Sequence, residues 1–203
     1  MRSAILWMIV SYFIGSVPTG YLTVRLLRGA DIRTVGSGST GATNVRRVLG
    51  KKWAVFVTVV DMLKGAFALL STAAAQGVAP WLLALSGFAA VMGHNYPVWL
   101  KFRGGKGVAT TYGVMFFLWP YESFAMTLLS GAVWYAAMTS TRYVSLASLI
   151  SLLSFPLFFA MLSAPFPFVL VSLVLAALAV CRHKTNIARL AWGREDKVQK
   201  DKV

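Results

Sequence analysis

Apolar runs of helix length, separated by short polar loops, fill most of this chain: residues 5–27, 53–75, 80–100, 108–119, 121–139, 143–163 and 166–181. About 20 predominantly apolar residues cross the roughly 30 Å hydrocarbon core of a bilayer. These runs therefore predict an all-α integral membrane protein with seven transmembrane helices, forming a single domain over residues 1–203. With 58% hydrophobic and 13% charged residues, a soluble globular fold is excluded. The run at 108–119 rises only about 18 Å, so it begins further back, near Lys106, or sits in a locally thinned, protein-lined region. Gly15, Pro18 and Gly20 predict a kink in the first run, where freed carbonyls need other partners. That run has no A-x-A-like site and little basic flank, so it reads as a span and not a signal peptide.

The charges set the orientation. The chain carries 20 Lys+Arg against 6 Asp+Glu, a net +14. Arg25, Arg28, Arg33, Arg46, Arg47, Lys51 and Lys52 flank the first loop, and Lys101, Arg103 and Lys106 the third. Arg142 lies in the fifth; Arg182, Lys184, Arg189, Arg194, Lys197, Lys200 and Lys202 lie in the tail. Only Arg2 falls on the other side, and Lys64 within a span. The positive-inside rule then puts the N-terminus outside and the C-terminus in the cytoplasm, which requires an odd number of spans. A soluble chain this basic would suggest nucleic acid. Cations confined to loops point instead to anionic headgroups and phosphorylated substrates, with no nucleic-acid partner. The single Cys181 excludes an intrachain disulfide and reads as a small apolar residue at a helix end.

Three polar stretches share the cytoplasmic side. The first runs from Gly36 to Arg47, with glycines at Gly36, Gly38 and Gly41. Glycines let successive N–H groups converge on an anion, and a helix beginning beyond them adds its positive end. Ser37, Ser39, Thr40, Thr43 and Asn44 add hydrogen-bonding groups, and Arg46 or Arg47 can grip an oxyanion bidentately. The stretch reads as a phosphate cradle. Its Gly-x-Gly-x-x-Gly spacing is not a dinucleotide fingerprint, because no strand precedes it and Asp61 sits inside an apolar run.

The second stretch runs from Gly93 and His94 to Gly107, with Lys106 set among Gly104, Gly105 and Gly107. Leu100 stands where a Walker loop has glycine. Lys106 is read as a ligand contact, and Lys101 and Arg103 as a patch on anionic lipid. The third carries His183, Lys184, Asn186 and Arg189; on a helix, His183 and Asn186 share a face. The chain has two histidines and both fall in these stretches. With one distant cysteine and no suitably placed carboxylate, they make a poor zinc site that falls short of a normal ligand set, and no metal or cofactor is expected. Asp61 and Lys64, three apart within the second run, read as a structural ion pair.

Taken together, these motifs resemble the bacterial acyl-phosphate:glycerol-3-phosphate acyltransferase (PlsY) family. The resemblance rests on Gly15-Ser-Val-Pro-Thr-Gly-Tyr21, Gly36-Ser-Gly-x-x-Gly-Ala-Thr-Asn44, Asp61-Met-Leu-Lys-Gly65, Gly93-His94 through Gly104-Gly-Lys-Gly-Val-Ala-Thr110, Arg142-Tyr-Val-Ser-Leu-Ala-Ser148 and His183-x-x-Asn186-Ile-x-Arg189-Leu190. It implies a seven-helix enzyme of the bacterial inner membrane with its active site facing the cytoplasm. The implied partners are acyl phosphate, glycerol 3-phosphate and membrane lipid; the products are lysophosphatidic acid and phosphate. Carried over by position, Ser37, His94, His183 and Asn186 are the implied catalytic residues. Gly36, Gly38, Gly41, Thr43, Asn44, Arg47, Gly104, Gly105, Lys106 and Ser145 are the implied substrate-binding residues. The chain departs from the family at Ser39 and Thr40, where asparagine and a variable residue are usual.

The rival reading is an anion transporter or lipid-binding membrane protein. Transporters tend to show inverted repeats and midplane breaks, whereas here no repeat is seen and the polar motifs lie on one side. The expected mechanism is direct transfer without an acyl-enzyme. A serine nucleophile needs a base oriented by a third group, and no carboxylate stands in the sequence where it obviously supports His94 or His183.

Overall fold

The computed structural model describes residues 2–119 and 122–198. The described residues form helices α1 (Arg2–Ser16), α2 (Thr19–Arg28), α3 (Ala42–Leu49), α4 (Lys51–Gln76), α5 (Pro80–Asn95), α6 (Val108–Phe117), α7 (Glu122–Thr141), α8 (Val144–Met161), α9 (Phe166–Arg182) and α10 (Lys184–Ala191), with 3-10 turns at Ile32–Thr34 and Val98–Leu100. No strand occurs among the described residues. Three stretches among them are long and apolar enough to cross a bilayer: Ser3–Arg28, Lys51–Gln76 and Val144–Met161. α9 and α10 pass together as a pair bent by 63°. The short run at 108–119 starts its helix at Val108, not near Lys106. Tyr121, Lys200 and Lys202 lie outside the described residues.

The chain divides into two compact units, residues 1–119 and 120–203. In the first, α1 packs along α5 and α4 along α6. Lipid offers no hydrophobic drive between helices, so association depends on close backbone approach at small residues. Gly15 abuts the Ala90 backbone and Gly93 the Tyr12 carbonyl, while Gly65 abuts the Thr110 carbonyl and Gly113 the Met62 carbonyl; none has room for a Cβ. Pro18 lacks an N–H and breaks the first run between α1 and α2. Beyond the break, Val24, Ile32, Val45 and Val57 form a fully buried apolar cluster, flanked by Tyr21, Leu49 and Trp53. This cluster joins α2, α3, α4 and the 3-10 turn at Ile32–Thr34, the elements that flank the first glycine loop.

In the second unit α7 packs on α8, α8 on α9, and α10 on both. Ser130 Oγ donates to the Ser151 carbonyl at 2.8 Å, joining α7 to α8. α9 ends at Arg182, and His183 is the bend residue from which α10 starts.

Candidate active site

The first glycine loop is shaped by one side chain. Asn44, on the first turn of α3 and 1% exposed, accepts from the Ser37 N–H through Oδ1 at 3.1 Å. Its Nδ2 faces the carbonyls of Ile32, Val35 and Ser39 at 3.2, 2.9 and 3.0 Å. The loop therefore folds around the Asn44 amide. Gly36 has φ 61° and Gly38 φ 68°, a region costly for residues with a Cβ; a Cβ on Gly36 would also strike Asn44 Oδ1. Ser39 Oγ accepts from the Gly41 N–H at 3.3 Å, so the residue departing from the family pattern serves the loop itself. Gly41 caps α3, whose N-terminus closes the loop. Ser37 and Thr43 are exposed, and the Arg47 stem runs beside Gly36.

Asp31 and Arg33 hold the approach to the loop. Asp31 accepts from the Arg33 N–H at 2.9 Å and from its guanidinium at 2.6 Å. That pairing keeps the Asp31 carboxyl below its usual range. Arg33 also lies over the Tyr21 ring and donates through Nη1 to the Leu100 carbonyl at 3.0 Å. The first loop is thereby joined to the second.

In the second loop the chain turns back on the end of α5. The Gly105 N–H donates to the His94 carbonyl at 3.2 Å and the Gly104 N–H to the Asn95 carbonyl at 3.1 Å. A Cβ on Gly105 would collide with the His94 ring. Lys106 follows directly and is partly buried. Below, the Lys64 ammonium lies 2.7 Å from Asp61 Oδ1 and donates to the Val17 carbonyl at 2.8 Å. The same Asp61 oxygen lies 3.6 Å from His94 Nδ1. The carboxylate beside His94 that the sequence did not reveal is Asp61.

The second unit gathers its motif residues on Glu195. Ser145 Oγ donates to Glu195 Oε1 at 2.8 Å, Asn186 Nδ2 to the same oxygen at 2.5 Å, and Arg189 Nε to Oε2 at 2.7 Å. Burial pushes the Glu195 carboxyl up, but these donors outweigh it and the net shift is downward. His183 Nδ1 lies 2.8 Å from the Ala179 carbonyl. A carbonyl only accepts, so Nδ1 carries a proton and, in the neutral ring, Nε2 is the acceptor.

The glycerol-3-phosphate acyltransferase family profile matches residues 5–193. The chain belongs to this family. It is 42% identical over 192 residues to a glycerol-3-phosphate acyltransferase of Aquifex aeolicus, covering 95% of this chain and 97% of that one. A glycerol-3-phosphate acyltransferase of Desulforudis audaxviator is 47% identical, covering 93% and 92%. Among solved structures, the glycerol 3-phosphate form of PlsY, an integral membrane glycerol 3-phosphate acyltransferase, superposes with a TM-score of 0.90 at 42% identity, covering 97% of this chain and 96% of that one. Its lysophosphatidic acid form gives 0.87 at 40% identity, with the same coverage.

Within this acyltransferase-family chain, Gly36, Ser37, Gly38, Gly41, Thr43, Asn44 and Arg47 lie on one loop and helix turn. Gly104, Gly105 and Lys106 lie on the loop joined to it through Arg33, and His94 lies in the last turn of α5, onto which that loop folds back. His183 and Asn186 do not share one continuous helix: His183 is the bend residue and Asn186 belongs to the first turn of α10. Three residues absent from the sequence reading of the site act within their own units, two in the first and one in the second. Arg33 joins the loops, Asp61 approaches His94, and Glu195 collects Ser145, Asn186 and Arg189. The Asp-x-x-Lys spacing of Asp61 and Lys64 was visible in sequence, but its direction toward His94 was not. Glu195 stands in a polar tail without any periodic pattern.

Proposed function

We propose that this chain transfers a fatty acyl group from acyl phosphate to glycerol 3-phosphate, releasing lysophosphatidic acid and inorganic phosphate. The glycerol hydroxyl oxygen bonds to the acyl carbon, the carbon–oxygen bond to phosphate breaks, and the departing phosphate takes the hydroxyl proton. An acyl phosphate is already activated, so the protein's work is to hold two anions in line and stabilise developing charge. The observation that carries this reading is the pairing of two glycine loops, each followed by or holding a cation, in a chain similar end to end to PlsY in its glycerol 3-phosphate and lysophosphatidic acid forms.

In this reading Arg47 and Lys106 bind phosphate groups. The exposed Ser37 donates to a phosphate or developing oxyanion and does not attack. Asn44 acts through the loop it shapes. His94, His183 and Asn186 orient the reacting groups, and Ser145, whose hydroxyl donates to Glu195, acts through that carboxylate. The chain would lie in the bacterial inner membrane with seven spans, the N-terminus outside and the polar motifs facing the cytoplasm. The cation asymmetry of its loops supports that orientation.

The direct test supplies detergent-purified protein with glycerol 3-phosphate and, in separate reactions, acyl phosphate, acyl-CoA or acylated acyl carrier protein. Phosphate release that requires glycerol 3-phosphate and occurs with acyl phosphate supports the reading. Acylation from a thioester but not from acyl phosphate would overturn the choice of donor.

A further inference from the structure

Asp61 and Lys64 are 2% and 8% exposed. A buried ion pair contributes little net stability over apolar residues of like size, because desolvating both charges offsets their attraction. Ionisable groups within a span mark functional positions. Half of the explanation is local: Lys64 serves the Val17 carbonyl at the Pro18 break, a carbonyl that lipid would leave unsatisfied. Asp61 is not needed for that bond. Its Oδ1 faces Lys64 on one side and His94 Nδ1 on the other.

The far edge of the His94 ring lies against Gly105, so closely that the loop admits no side chain there. The His94 carbonyl receives the Gly105 N–H. Ring and loop are thus in register, and whatever fixes the ring fixes the backbone that leads into Lys106. Beside it, the Asn95 side chain is fully buried against Gly107 with both amide atoms lacking a hydrogen-bond partner in the protein, so Asn95 holds the loop only through its carbonyl, which receives the Gly104 N–H.

We propose that Asp61 is a positioning residue: it holds His94 in the Nδ1–H tautomer with Nε2 toward the glycine loop, and Lys64 fixes Asp61 against the break in the first span. A carboxylate beside one imidazole nitrogen favours the tautomer with the proton there and turns the other nitrogen into an acceptor. The consequence for catalysis rests on the acyltransferase reading above; the tautomer itself does not.

The chain has only two histidines, so its ¹⁵N-histidine NMR spectrum can be assigned with one variant, His183→Gln. In the full-length protein in detergent, His94 is expected as the Nδ1–H tautomer. Asp61→Asn should shift or mix the His94 signals while leaving those of His183 in place. Because Asp61→Asn leaves Lys64 buried beside a neutral partner, Asp61→Asn/Lys64→Gln, whose neutral amide keeps a donor for the Val17 carbonyl, serves as the second variant should the first not fold. In acylation assays, Asp61→Asn should lower kcat/KM on the order of 10- to 100-fold, the scale of a misplaced catalytic group. Asp61→Asn/His94→Gln should be no slower than His94→Gln alone, and Asp61→Glu should recover part of the loss. An Nε2–H tautomer in the wild type, or unchanged His94 signals in a folded Asp61 variant, overturns the proposal whether or not the protein is active. Multiplying losses in the double variant would show that Asp61 acts independently of His94. Absent acyl transfer by a wild type with the expected tautomer would count against the acyltransferase reading alone.

Discussion

Arg33 Nη1 donates to the Leu100 carbonyl at 3.0 Å, a bond spanning 67 positions that fastens the first glycine loop to the second. Asp31 grips the same guanidinium from the other side, so Arg33 is held before it reaches across. Replacing it by Lys removes the planar fork that lets one side chain serve Asp31 and Leu100 together. A charge-assisted hydrogen bond contributes about 1.5–3 kcal/mol, reduced here by partial exposure. Arg33→Lys should raise KM for glycerol 3-phosphate or acyl phosphate about fivefold, with a smaller change in kcat. Steady-state kinetics with each substrate varied in turn provides the check.

Asn44 carries the other structural bond of the cradle. Removing its amide leaves the Ser37 N–H and three inward carbonyls to find new partners. A buried group left unsatisfied costs about 1–3 kcal/mol. Asn44→Ala should therefore lower thermal stability and weaken substrate binding together. Asn44→Asp keeps the acceptor for Ser37 but turns an oxygen toward the carbonyls, and should be no better than alanine. Thermal unfolding and KM measured on the same preparations would show the coupling.

Arg47, on α3 beside the first loop, and Lys106, within the second, are the cations proposed to bind phosphate. Losing either charge-assisted contact should cost about 1.5–3 kcal/mol of transition-state binding, or roughly 10- to 100-fold in kcat/KM. Unchanged kinetics in folded Arg47→Ala or Lys106→Ala protein would remove that residue from the site.

Glu195 predicts a pH dependence. Its carboxyl is held below its ordinary value of 4.5 in the folded chain. A depressed carboxylate stabilises the fold above its unfolded pKa, and the contribution is lost as pH falls through the folded value. The Ser145–Asn186–Arg189 assembly should thus be intact near neutrality and loosen only below pH 4.5. Glu195→Gln should flatten that acid limb. Hydrogen exchange at Asn186 and Arg189 as a function of pH gives the readout.

Much of the helical pattern was legible because apolar runs of spanning length leave few alternatives to a membrane helix. The break at Pro18 followed from its missing N–H. The cradle was legible in part: glycines and hydroxyls marked the loop, yet composition cannot say whether Asn44 faces a ligand or its own backbone. It faces the backbone. Helix limits were blurred where apolar sequence outlasts the helix, as after Asn95, where Tyr96, Pro97 and the following turn remain apolar. The carboxylates stayed hidden for a different reason. Asp61 reaches His94 from a helix 33 positions earlier, and Glu195 meets Ser145 across 50, distances that periodicity does not encode.

Direct transfer between two anions held by the protein is tested by intact-mass measurement of the enzyme during turnover. Purified protein is incubated with acyl phosphate alone, its mass recorded, and glycerol 3-phosphate then added while phosphate and lysophosphatidic acid are quantified. Direct transfer predicts no acyl adduct at any stage, with phosphate and lysophosphatidic acid appearing in equal amounts only after the acceptor is added. A stoichiometric adduct that forms with acyl phosphate, discharges on adding glycerol 3-phosphate and is missing in Ser37→Ala would contradict it.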